Sequence, residues 1–154
     1  MKPWLDADGN EVLDDHLIKI LKPYSTQGGT IYVGADSMLY SKSCSFACAI
    51  ALHDKHQQIA KYFYRRHVDK SNHFKDIRLK ILSEVSLAIE VAQDIMKYVP
   101  EANIEIHVDI GAGRKSKTRS MIDQVTGWIL GSGFKCKIKP RSWASSSIAD
   151  WHTK

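Results

Sequence analysis

Thr30-Ile31-Tyr32-Val33-Gly34-Ala35-Asp36 reads as a β-strand that ends on a carboxylate. Its side chains alternate. Ile31, Val33 and Ala35 share one face, and Tyr32, Gly34 and Asp36 share the other. Gly34 leaves room beside Asp36 for another stretch of backbone to approach closely. Two more strand patterns follow at once. In the first, about 43–52, Cys44, Phe46, Cys48, Ile50 and Leu52 alternate with smaller residues; the second covers about 58–68. His53-Asp54-Lys55-His56 is the turn between them, so they form a hairpin. The connection before that hairpin is also short, which predicts an antiparallel meander of three strands.

The flanks complete the architecture. Upstream, Asp6-Ala7-Asp8-Gly9-Asn10 is a turn signal, and Leu13, Leu17, Ile18, Ile20 and Leu21 recur at helical spacing up to Pro23. Residues 1–29 therefore read as an N-terminal helical extension to a main body of 30–154, in one globular domain. Downstream, Ile77, Ile81, Leu82, Val85, Ala88, Ile89, Ala92, Ile95, Met96 and Val99 form the apolar stripe of a long helix, 73–99, stopped by Pro100. A strand at 104–109 comes next, then a Gly-rich basic loop. A helix at 118–130 follows, closed by Gly131-Ser132-Gly133. A strand at 134–139 is closed by Pro140, and a short helix covers 145–152. A meander followed by strands alternating with helices predicts an α/β fold, a mixed five-stranded sheet flanked by helices.

Composition narrows the function. A chain of 154 residues, 44% hydrophobic and 25% charged, supports a real core. The net charge of +5 is unevenly spread. From Gly111 to Arg141 there are eight Lys or Arg and one acid, Asp123; the first fifteen residues hold five acids and one Lys. A basic stretch that includes Lys139 and Arg141 suits the phosphate backbone of a nucleic acid, and it equally describes a solvated charged face. Cys44, Cys48 and Cys136 do not make a disulfide framework and read as thiols. No leader-like apolar region and no run long enough to span a bilayer are found, so a cytoplasmic protein without a membrane partner is expected.

The chemistry lies in four carboxylates. Asp36 ends the first strand, Glu84 sits on the long helix, Asp109 ends the strand Ile104-Glu105-Ile106-His107-Val108, and Asp150 lies on the last helix. Acids in these places are well placed to hold divalent metal for in-line phosphoryl chemistry. Each has a blander reading. Asp36 could merely open a turn, and Asp150 could sit on a frayed terminal helix. At 100° per residue Glu84 falls near the edge of the apolar stripe, whereas Glu90 falls nearly opposite its centre and reads as solvated. His107 shares the parity of Asp109 and reads as a structural histidine. Gly111-Ala112-Gly113-Arg114-Lys115-Ser116-Lys117-Thr118 misses the P-loop pattern by one residue, with Ser116 where the second Gly belongs. A nucleotide hydrolase is therefore rejected. The local physics remains: N–H groups at a helix start, beside Arg114, Lys115, Lys117 and Arg119, attract phosphate. Trp143 and Trp151 are candidates for stacking on bases or for core positions.

With these residues in place, the chain resembles the ribonuclease H-like superfamily, and within it the YkuK-like group. The resemblance covers about 30–154. It rests on Val33-Gly34-Ala35-Asp36-Ser37, Glu84-Val85-Ser86-Leu87, His107-Val108-Asp109-Ile110-Gly111, Lys117-Thr118-Arg119, Lys139-Pro140-Arg141-Ser142 and Ala144-Ser145-Ser146-Ser147-Ile148-Ala149-Asp150. It implies that Asp36, Glu84 and Asp109 bind two Mg2+ or Mn2+ ions, with Asp150 as a fourth ligand. The expected function is a metal-dependent nuclease of DNA, RNA or a hybrid, with its oligomeric state open. The alternatives are a catalytically weak nucleic-acid-binding module of the same fold and a protein-interaction subunit.

Overall fold

The computed structural model describes residues 2–53, 59–111, 113 and 118–153. Its first element is a hairpin of two short strands, β1 (Trp4–Asp6) and β2 (Glu11–Val12), paired antiparallel. Asp6 builds the turn. Its Oδ1 accepts from the N–H groups of Asp8 at 3.0 Å and Asn10 at 2.9 Å, and Gly9 takes φ 84°. Helix α1 (Asp14–Thr26) follows and runs through Pro23, where the sequence predicts an end. Pro23 lies within the last turn, so its missing N–H forfeits a single bond, and that turn still closes through Gln27 N–H on the Pro23 carbonyl at 3.1 Å.

Strands β3 (Thr30–Leu39), β4 (Cys44–His53) and β5 (Ile59–Asp69) form the expected antiparallel meander. Helix α2 (Ile77–Tyr98) starts on Asp76, whose Oδ1 accepts from Arg78 N–H at 2.9 Å. Strand β6 (Asn103–His107) stops short of Asp109. A 3-10 turn, Arg119–Met121, leads into α3 (Ile122–Gly131), and β7 (Lys135–Lys137) follows. The C-terminal helical segment, Ala144–Ala149, has the wider π spacing. Among the described residues no helix is long and apolar enough to cross a membrane.

Among the described residues one mixed sheet contains seven strands in the order β2-β1-β5-β4-β3-β6-β7. The sequence predicts five; the other two are the N-terminal hairpin, which extends the sheet beside β5. Strands of three and two residues are too short for alternation to be read, so only their turn was legible. On one face Ile31, Val33 and Ala35 pack with Ile81, Val85, Ala88 and Ala92 of α2 and Val125 and Ile129 of α3. On the other, Ala47, Ala49 and Ala51 of β4 receive Ile148 and Ala149 of the π segment, with Tyr32, Tyr62 and Trp143 around them.

This arrangement leaves a notch. The parallel pairing of β3 with β6 ends at Gly34 and His107, yet β3 continues to Leu39. Past that point Asp36 and Ser37 are paired only with Ala47 and Phe46 of β4. Ligand sites in α/β sheets form beyond the carboxyl ends of strands, and β6 ends here.

Candidate functional site

A cavity of about 570 Å³ occupies the notch, and Asp36, Lys80, Glu84, Asp109, Thr118 and Lys139 help to line it. Strand β3 supplies the acid Asp36 from one face and Ser37, the partner of Glu84, from the other. Ser37 points to the α2 side and Asp36 to the side of the π segment, as the period of two requires. Three of the four acids expected from the sequence therefore share one space. Asp150 adjoins it through a hydrogen bond to Asp36.

Glu84 is buried more deeply than its position at the edge of the apolar stripe suggests, with 1% exposure between Ile81, Val85 and Ala88. Its Oε1 accepts a hydrogen bond from Ser37 Oγ, and Lys80 Nζ lies 3.5 Å from the same oxygen. Its Oε2 has no hydrogen-bond partner among the described residues. Burial pushes Glu84 up to about 8, against the pull of Lys80 and Ser37, and the charges of Asp36 and Asp109 add to the rise. Glu90 is exposed, as expected.

Asp36 is pushed up to about 7, first by burial, then by the hydrogen bond with Asp150 and the charge of Asp109. Burial and the neighbouring carboxyls both disfavour the charged form of Asp36. Asp109 lies two residues beyond β6. Its Oδ1 is buried without a hydrogen-bond partner among the described residues, although Lys139 Nζ stands 3.2 Å away. The ammonium is near enough to pair charges but is not aligned as a donor.

His107 anchors the segment that carries Asp150. It is fully buried, and its Nδ1 accepts from Ala144 N–H at 3.0 Å while Nε2 lies 2.9 Å from Glu105 Oε1. A backbone N–H can only donate, so the ring proton sits on Nε2 and is given to Glu105. Burial lowers the His107 pKa, in keeping with this neutral form. Gly34 completes the anchor. A Cβ built there would lie 2.5 Å from Ser145 N, against backbone that cannot swing aside. Trp143 stacks on His53 at 4.4 Å and meets Tyr32 and His107, so it packs within the protein, whereas Trp151 is 55% exposed.

Of the basic residues expected to meet phosphate, Arg119 and Arg141 are exposed and Lys139 lines the cavity. Thr118 also lines it, with its Oγ1 accepting from Gly111 N–H at 3.2 Å. Arg114, Lys115 and Lys117 lie outside the described residues. Sequence reading missed Ser37 and Lys80 as members of the site. Lys80 had a signal, since it stands four residues before Glu84 and the two meet on one helix face.

The donor set fits a hard divalent cation. Three carboxylates line one cavity, and two of their buried oxygens lack hydrogen-bond partners among the described residues. Among the described residues no three His, Cys, Asp or Glu side chains already stand as a ligand cluster. The ribonuclease H-like family model matches residues 12–154. The uncharacterized protein YkuK of Bacillus subtilis (strain 168) is 29% identical over 137 residues, covering 79% of this chain and 77% of that protein.

Proposed function

The chain belongs to the ribonuclease H-like family, and from that premise we propose that it is a divalent-metal-dependent nuclease that hydrolyses phosphodiester bonds. One observation carries the reading: Asp36, Glu84 and Asp109 line a single cavity at the end of a parallel strand, with buried oxygens to spare. These three, with Asp150, would hold Mg2+ or Mn2+. Two such ions would supply activation of a water and stabilisation of the leaving oxygen. Asp36, whose charged form burial disfavours, would be ionised when it acts as a ligand. Lys139, Arg141, Thr118 and Arg119, with Arg114, Lys115 and Lys117 of the same basic stretch, bind the phosphates of the substrate strand.

A nuclease panel of labelled DNA, RNA and hybrid duplex, each with Mg2+, Mn2+ or EDTA, tests this. At least one substrate should be cut with metal and none with EDTA. Asp36→Asn and Asp109→Asn should each remove nearly all cleavage with far-UV CD unchanged, while Glu90→Gln should be nearly silent. An Asp109→Asn protein that cleaves at the parent rate contradicts the assignment. That no three His, Cys, Asp or Glu side chains among the described residues already stand as a ligand cluster favours one second reading, a module of the same fold that binds nucleic acid without cutting it. Salt-dependent binding without turnover on any substrate would select that reading.

A further inference from the structure

The two oxygens of Glu84 are treated unequally. Oε1 receives the Ser37 hydroxyl from β3 and faces the Lys80 ammonium from one turn earlier on α2. Oε2 is buried and has no partner among the described residues, and Glu84 lines the same cavity as Asp36 and Asp109. A buried carboxylate serving only the fold would have both oxygens satisfied, because an orphaned buried acceptor costs about 1–3 kcal/mol. Two donors from two elements converge instead on one oxygen. Ser37 can reach it because residues 31, 33, 35 and 37 of β3 all face α2.

We propose that Ser37 is a positioning residue, assisted by Lys80, which takes up Glu84 Oε1 and so reserves Oε2 for a divalent cation. The inference rests on the metal-dependent reading above. A carboxylate left free to rotate must be ordered when it binds a cation. The Ser37 hydrogen bond orders it beforehand and sets which oxygen faces the cavity. Partners of ligating carboxylates typically change metal affinity by about 10–100-fold. Ser37 is thereby assigned an effect on affinity for the cation itself, separate from any effect on the substrate.

The test is titration calorimetry of the full chain with MnCl2 and with MgCl2, without substrate. Ser37→Ala should weaken Mn2+ binding by about 10–100-fold. Ser37→Thr, which keeps the hydroxyl, should bind close to the parent. If the alanine variant does not fold, Ser37→Cys, nearly the same size and a weaker donor, carries the same expectation of weaker binding. A merely structural serine would lower the melting temperature and leave metal affinity unchanged; folded Ser37→Ala or Ser37→Cys with parental affinity overturns the proposal. A parent chain that binds neither metal overturns the metal reading and this inference together. A parent that binds while the variants match it overturns the role of Ser37 alone.

Discussion

Asp36 is the residue on which the most forces meet. Its carboxyl is buried, shares a hydrogen bond with Asp150 and feels the charge of Asp109, and it sits at about 7 against an ordinary 3.8. The folded chain therefore holds this proton to higher pH than the unfolded chain does. The associated stability is full below about pH 4 and is lost as pH rises through 7; Glu84, pushed to about 8, extends the loss. The metal-free protein should melt at progressively lower temperature from pH 4 to pH 8. Asp36→Asn should flatten that slope and add roughly 1–3 kcal/mol at pH 8, with little effect near pH 3. Scanning calorimetry across pH checks both; a variant less stable than the parent at pH 8 contradicts the crowding of these acids. The sequence made the residue types of this site legible but not its strand ends, since β3 runs on past Asp36 to Leu39 and β6 stops at His107, before Asp109. It could not show that Ser37 reaches Glu84, because that depends on how α2 is rotated against β3, which no local periodicity fixes.

At the scale of elements, the approach of the π segment to β3 decides where Asp150 sits. Gly34 is the point of contact, with Ala144 and Ser145 backbone where a side chain would begin. Gly34→Ala should cost about 1–3 kcal/mol through overpacking against backbone. It should also lower cleavage by moving the segment that carries Asp150. Urea denaturation and the nuclease assay measure the two effects, and an alanine variant equal to the parent in both would contradict the close approach. The room at Gly34 was readable from one glycine in an apolar strand, but the backbone that fills it was not. β4, β5 and the C-terminal end of α2 were legible to within a residue, whereas β3 runs on to Leu39 and α2 begins at Ile77, after a 3-10 turn at His73–Lys75. The β1–β2 hairpin was not, because five strand residues carry too little pattern. Pro23 misled because a proline in a last turn forfeits only one bond. Asp109 proved to lie beyond its strand, since β6 stops pairing with β3 at His107 while the apolar alternation runs on.

Across the whole molecule, Lys139 and Thr118 line the cavity with its acids, and their chain neighbours Arg119 and Arg141 are exposed. If this face grips a phosphate backbone, Arg119→Ala and Arg141→Ala should weaken binding alike for all sequences. Each should also reduce the slope of log affinity against log salt by up to roughly one unit per lost phosphate contact. Filter binding at several salt concentrations measures that slope, and an unchanged slope in both variants would place the strand elsewhere. That four acids distant in sequence form one divalent-metal site is tested without any knowledge of the substrate by thermal melting. Millimolar MgCl2 or MnCl2 should raise the melting temperature of the parent, where sodium chloride of matched ionic strength does not. Saturation to a hundred times the dissociation constant corresponds to about 2.7 kcal/mol. Asp36→Asn should start more stable without metal and gain less from it. A parent whose melting curve ignores both metals, together with an Asp36→Asn protein less stable than the parent, would mean that the four acids do not act as one site.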